Sequence, residues 1–492
     1  MERSQGILMA VSSLPSNYGI GTLGKAAYDY VDFLKEAKVK YWQMLPLGPT
    51  SYGDSPYSSF SSFAGNPYFV DLDILIQDGL LTKEEVESFD FGKDPRYVDY
   101  LKLFNSRFII LNKAKERGYE KDKKKVEAFR KRNAWLDDYA LFMALKDYFK
   151  GKEWIKWPED IKKRDPKALE RYKEKLKDRI ELYTYIQFLF FKQWKDLKKY
   201  INDSGIKVIG DIPIYAALDS CDVWANTKVF QLDKDTLKPK EVSGCPPDRY
   251  SEDGQLWGNP LYDWKYLKRT KYDWWLKRIE GNSKLFDVVR IDHFRGLYSY
   301  YSIKYGRKNA RVGHWVLGPG MDFLDTVNKT FKNVEFIAED LGYLEQGVLD
   351  ILKGSGWPGM RIMQFAFTSD EKNRDLPHNY VVNSICYTGT HDNHTLLGWK
   401  KTAYKGEIDR AKEYFDIGIF DDFNFKIIEG GMRSVSKLFV AQMQDYLKLG
   451  LDHRMNLPGT LGLNWKWRML SSDIKPELKD KIKELAVKYN RA

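Results

Sequence analysis

Apolar and polar positions along the chain fall into two alternating rhythms. Short runs rich in β-branched and aromatic residues, each closing on polar residues, recur at 6–13, 41–47, 207–215, 286–294, 334–341, 360–367 and 384–392, and less distinctly at 454–458. Between most of them the apolar period lengthens to that of a helix, as at 26–37. Strands alternating with helices pair in parallel through crossovers. Eight such units predict an α/β fold of the closed (β/α)₈ TIM-barrel type rather than an open sheet.

The spacing of the runs is uneven. Within the widest gap, Leu182, Ile186, Phe190, Trp194, Leu197 and Ile201 recur at steps of three and four, which places them on one helix face. The expectation is one catalytic barrel domain over 1–492, interrupted by a mainly helical insertion at about 70–180. A second insertion at about 216–282 carries a Gly- and Pro-bearing loop at 244–258, read as a lid because long loops over a barrel mouth wall off substrates. The basic stretch from Lys121 to Lys125 and from Arg130 to Arg132 has acids interleaved nearby and reads as a solvated helix face.

Composition narrows the function. Lys and Arg outnumber Asp and Glu by 80 to 69, but the charges are spread over the chain, which argues against a nucleic-acid partner. No apolar run approaches the ~20 residues of a membrane helix, and no cleavable leader is discernible at the amino terminus, so a cytoplasmic protein is expected. Cys221, Cys245 and Cys386 form no CxxC pair and read as reduced thiols. Aromatic residues make up 15% of the chain, a supply of flat faces that suits sugar rings as well as cores.

In a barrel of this type the reactive groups stand at the carboxyl ends of the strands. Four of the runs end in acid there: Asp211, Asp292, the Glu339-Asp340 pair, and Asp392 between His391 and His394. Strand alternation puts Arg290 and Asp292 on one face, and a guanidinium beside an aspartate is expected to lower its pKa and keep it ionised. Glu339 and Asp340 face opposite ways. Glu339 is taken as the inward one, with Asp340 making local turn hydrogen bonds. A glutamate crowded by carboxylates rises in pKa and suits acid/base work, and two carboxyls of unequal pKa are the apparatus for breaking a glycosidic bond. The histidines read as donors to sugar hydroxyls rather than metal ligands, since no HExxH occurs. Gly19-Ile20-Gly21-Thr22-Leu23-Gly24 matches a dinucleotide fingerprint, but Leu14 to Tyr18 separate it from the first strand, and the second run does not end in an acid. Neither a metal nor another cofactor is expected.

The motifs from Ser12 to Ser16, Ser55-Pro56-Tyr57-Ser58-Ser59-Phe60 with Gly65-Asn66-Pro67-Tyr68, Gly210-Asp211-Ile212-Pro213, Arg290-Ile291-Asp292-His293-Phe294-Arg295-Gly296, Ala338-Glu339-Asp340-Leu341-Gly342 and Thr390-His391-Asp392-Asn393 resemble those of the 4-α-glucanotransferases. This family, also called amylomaltases or disproportionating enzymes, is glycoside hydrolase family 77 of the α-amylase superfamily. The resemblance runs in order over nearly the whole chain. It implies cofactor-free transfer of an α-1,4-glucan segment to the 4-hydroxyl of another malto-oligosaccharide or of glucose, through a covalent intermediate. It further implies Asp292 as nucleophile, Glu339 as acid/base and Asp392 as the third acid. Arg290, Asp211, His293 and His391 would line the reacting subsite under the ring of Tyr57. Asp248, Tyr250 and Trp257 would belong to the lid, while Phe365 and Asn464 would hold further glucose units. Arg249 is a departure that bears on acceptor preference. The short stretch after Trp465-Lys466-Trp467-Arg468 implies no carboxy-terminal β-domain. A plain α-glucan hydrolase and a non-catalytic glucan-binding protein remain as alternatives.

Overall fold

The computed structural model describes residues 1–51, 53–247, 251–342 and 344–492. Eight strands, Ser4–Leu8, Tyr41–Gln43, Lys207–Ile212, Val288–Ile291, Glu335–Ala338, Gly359–Ile362, Ser384–Tyr387 and Leu438–Gln442, each pair with the next, and the last closes on the first. All the pairings are parallel. Seven strands fall within or overlap the apolar runs. The eighth is not at 454–458 but at Leu438–Gln442, whose residues are all buried. A short continuous apolar run reads equally well as a buried strand or a piece of buried helix, and Met443–Tyr446 is indeed helical directly after it. Residues 454–458 instead form a loop, in which Asn456 N donates to His391 O at 3.1 Å.

Between the second and third strands lie helices including Tyr100–Arg132, Trp135–Tyr148 and Lys177–Asp203. The last buries Leu182, Ile186, Phe190, Trp194, Leu197 and Ile201 on one side. The basic end of Tyr100–Arg132 is laced with surface ion pairs, Lys123–Glu120, Lys125–Asp122 and Arg130–Asp137, as a solvated face requires.

A four-stranded antiparallel sheet stands apart from the barrel. Its strands, in spatial order Gln255–Pro260, Glu241–Cys245, Ser299–Lys304 and His314–Leu317, come from the loops that follow the third and fourth barrel strands. Val242, Tyr301, Ile303 and Ala310 give it a small core of its own.

The glycine-rich match at Gly19 to Gly24 serves packing. A Cβ at Gly21 would lie 1.8 Å from the carbonyl of Val11, and one at Gly24 would lie 2.0 Å from the Asp71 carboxylate. Asp71 accepts from the Thr22 hydroxyl at 2.5 Å and abuts the start of helix Lys25–Glu36. A carboxylate thus occupies the place where a dinucleotide site would hold its phosphates.

Candidate active site

Barrel register explains why residues distant in sequence meet. Asp211 is paired with Arg290, Arg290 with Ile337, and Ile291 with Ala338. The next residue on each of the last two strands is Asp292 and Glu339, so these acids leave the barrel side by side. Backbone bonds fix them: Asp292 N donates to Ile212 O and Glu339 N to Ile291 O, both at 3.0 Å.

Arg290, fully buried in the barrel mouth, lies between two carboxylates. Its Nη1 donates to Asp211 Oδ2 at 2.5 Å and to Asp292 Oδ1 at 3.0 Å. The Tyr57 hydroxyl also donates to Asp211 Oδ2, at 2.7 Å. Glu339 is held by the backbone: Oε2 accepts from His293 N at 2.6 Å and Oε1 from Leu341 N at 2.9 Å. His293 adopts a left-handed φ of 50°, a strain of ~1–3 kcal/mol for a residue with a side chain, at the residue whose N–H reaches the Glu339 carboxylate.

Burial pushes the Asp292 carboxyl up, and the charges of Asp211 and Asp392 add to the rise, outweighing the opposing pull of Arg290. This reverses the sequence expectation, which considered Arg290 alone. Glu339 is pushed further, by burial and then by the charge of Asp292; Arg290 and its two backbone donors only partly offset the rise. The two titrate as a unit. In the singly protonated pair the proton resides mainly on Glu339, because Asp292 has the direct contact with Arg290. His293 and His391 are both lowered by burial, His293 to about 4, so both are neutral near pH 7. Among the described residues the buried His293 Nε2 has no hydrogen-bond partner.

Asp392 joins from the loop after the seventh strand. Its Oδ1 accepts from Asn456 Nδ2 at 2.6 Å and lies 3.3 Å from His391 Nε2. Its carbonyl accepts from the Arg454 guanidinium, which also meets His394 Nε2 at 2.8 Å. The Tyr57 ring stacks on His391 with centroids 4.9 Å apart and 17° between planes. Trp465 closes on both rings. Trp257, 37% exposed, meets His293 edge-on at 4.8 Å.

Other residues fall differently. Phe365 is half-buried in the turn Met363–Phe365, directly after the sixth strand. The Asn464 amide closes its own loop, accepting from Leu457 N at 2.9 Å and donating to Thr460 O at 2.9 Å. Of Asn456 and Asn464, it is Asn456 that reaches Asp392. Asp248 and Tyr250 lie outside the described residues. Among the described residues no cluster of His, Cys, Asp and Glu could hold a metal ion.

Asp340 is expected from the sequence to make local turn bonds, but its side-chain partners among the described residues are remote, and the local turn bond from Leu341 N goes to Glu339. Fully buried, Asp340 accepts from Met360 N at 2.6 Å and pairs with Arg374 at 2.5 Å and Arg361 at 3.5 Å, tying the fifth strand's end to the sixth. Asp340→Ala would leave two guanidiniums facing a void, and a loss of ~3–5 kcal/mol in unfolding free energy is expected, to be read by denaturant titration.

The family model described as 4-alpha-glucanotransferase matches residues 9–473. Similar relatives include the 4-alpha-glucanotransferase of Clostridium butyricum, 49% identical over 98% of this chain and 100% of its own. That of Thermus thermophilus is 43% identical over 99% of this chain and 98% of its own. Among solved structures, the amylomaltase from Streptococcus agalactiae in complex with acarbose is 40% identical and superposes with a TM-score of 0.98 over 100% of both chains.

Proposed function

Because the chain belongs to the 4-alpha-glucanotransferase family, we propose that it transfers segments of α-1,4-glucans to the 4-hydroxyl of malto-oligosaccharides or glucose by double displacement. The observation that carries the reading is the emergence of Asp292 and Glu339 from neighbouring strands, one against a guanidinium and the other against backbone N–H groups.

In the first half-reaction an Asp292 oxygen attacks the anomeric carbon. The bond to the departing glucan breaks, and its oxygen takes the proton from Glu339. In the second, the acceptor hydroxyl attacks the same carbon, Glu339 takes the hydroxyl proton, and the Asp292 carboxylate leaves. Two inversions give retention. Asp392 contacts hydroxyls of the distorted sugar, while Tyr57, His391 and His293 form its walls. Trp257 belongs to a cover over donor and acceptor that favours sugar over water at the intermediate, and Asp248 and Tyr250 are proposed as further substrate-binding residues. The cytoplasm, which keeps the free thiols of Cys221 and Cys386 reduced, is the proposed compartment.

Incubation with maltotriose tests the reading. The expected products are glucose and a ladder of longer oligosaccharides. Maltose and glucose alone would make the protein a hydrolase, and binding without products would make it a glucan-binding protein.

A further inference from the structure

The loop that carries His391, Asp392 and His394 is bracketed by one carboxylate that belongs to neither the loop nor the cluster of acids. Asp445 is fully buried in the short helix Met443–Tyr446, just beyond the eighth barrel strand. Its Oδ2 accepts from the Thr388 hydroxyl at 2.6 Å and its Oδ1 from Leu396 N at 2.7 Å. Thr388 is the first residue after the seventh strand Ser384–Tyr387, and Leu396 opens the helix Leu396–Thr402. A single side chain therefore pins both ends of the loop.

The same stretch of chain holds the loop's middle. Gln442 Nε2 donates to His394 O at 3.0 Å, joined there by Gln364 Nε2 at 2.7 Å. Asp445 is itself secured through its carbonyl by Asn424 Nδ2 at 2.8 Å. A carboxylate removed from water and left without a cation is unfavourable unless its hydrogen bonds are complete. Replacement by an apolar residue would relieve that penalty but release both ends of the loop.

We propose that Asp445 is a positioning residue of the transferase: it sets the path of the 388–396 loop, and through it the placement of the Asp392 carboxylate against the reacting sugar. The proposal rests on the reading of Asp392 as the third acid. A misplacement of ~1 Å in such a group lowers turnover by ~10²-fold.

The test is a double-mutant cycle on the full chain, with maltotriose as substrate, far below each variant's melting temperature. Asp445→Ala is expected to lower kcat by ~10²-fold, with KM changed less. Asp445→Asn can accept from Leu396 N and donate to the Thr388 hydroxyl, and should stay within ~3-fold of wild type. Thr388→Val removes one tie while keeping shape; an intermediate loss of ~10-fold is expected, and this variant stands in if Asp445→Ala does not fold. In an Asp392→Ala background the effects of both Asp445→Ala and Thr388→Val should shrink to within ~2-fold, because the group they place is gone. Undiminished losses in that background, or unchanged kcat in the folded single variants, would overturn the proposal. Failure of the underlying reading looks different: wild type makes no ladder, or Asp392→Ala alone leaves kcat intact.

Discussion

Asp292→Asn is expected to lower transfer from maltotriose by on the order of 10⁴- to 10⁶-fold while the protein stays folded. The amide is isosteric with the carboxylate, and Arg290 keeps its bond to Asp211, so no buried cation is left unpaired. What disappears is the oxygen nucleophile. The same substitution should stabilise the protein at high pH. Asp292 titrates higher in the folded chain than when exposed, so its contribution to stability is present below the unfolded carboxylate pKa of ~3.9 and is lost as pH rises through the folded value. Asparagine does not titrate. The melting temperature of Asp292→Asn relative to wild type should therefore climb from about pH 4 and level off above about pH 7. A variant that loses activity but shows no pH-dependent gain would mean that burial and the charges of Asp211 and Asp392 do not raise the Asp292 carboxyl.

That charge environment marks the limit of what residues in a row can reveal. Alternation along one strand places Arg290 and Asp292 together, and this contact exists. The acids that oppose Arg290 arrive from the third strand and the loop after the seventh, and burial comes from the whole mouth, so the sign of the shift depends on closure of the barrel. Periodicity found seven strands because buried parallel strands are continuous apolar runs with polar ends. It missed Leu438–Gln442, where a helix follows directly and the first acid, Asp445, lies within that helix. Arg454 and Asn456 are functional neighbours that periodicity assigned to a strand. Their signal is chemical: a guanidinium and an amide near the last barrel strand are suited to hold an acid on the adjacent loop. The four-stranded sheet was equally hidden, since its halves come from different loops and pair only in space.

Glu339→Gln should reveal the division of labour between the two acids. With maltotriose, whose leaving group is a sugar hydroxyl, a loss of ~10³- to 10⁵-fold is expected, because the bond must break without a proton donor and the acceptor must attack without a base. With an α-glucosyl fluoride donor the leaving group needs little protonation, so Asp292 should still form the covalent intermediate, which then accumulates because the second step lacks its base. Azide needs no deprotonation and attacks from the face opposite the Asp292 bond, so a β-linked intermediate, as two inversions require, should be released as the α-glucosyl azide. The wild-type pH profile of kcat/KM carries the complementary information. Activity needs one proton on the pair, so the acidic limb follows the proton shared with Asp292 and the alkaline limb the loss of the proton from Glu339. Both limbs should lie above the ordinary carboxylate range of ~4–4.5, since burial raises both groups. In Glu339→Gln the alkaline limb should vanish. An alkaline limb that persists unchanged would assign the general acid to another group, and a β-azide product would contradict attack by Asp292 from the β face.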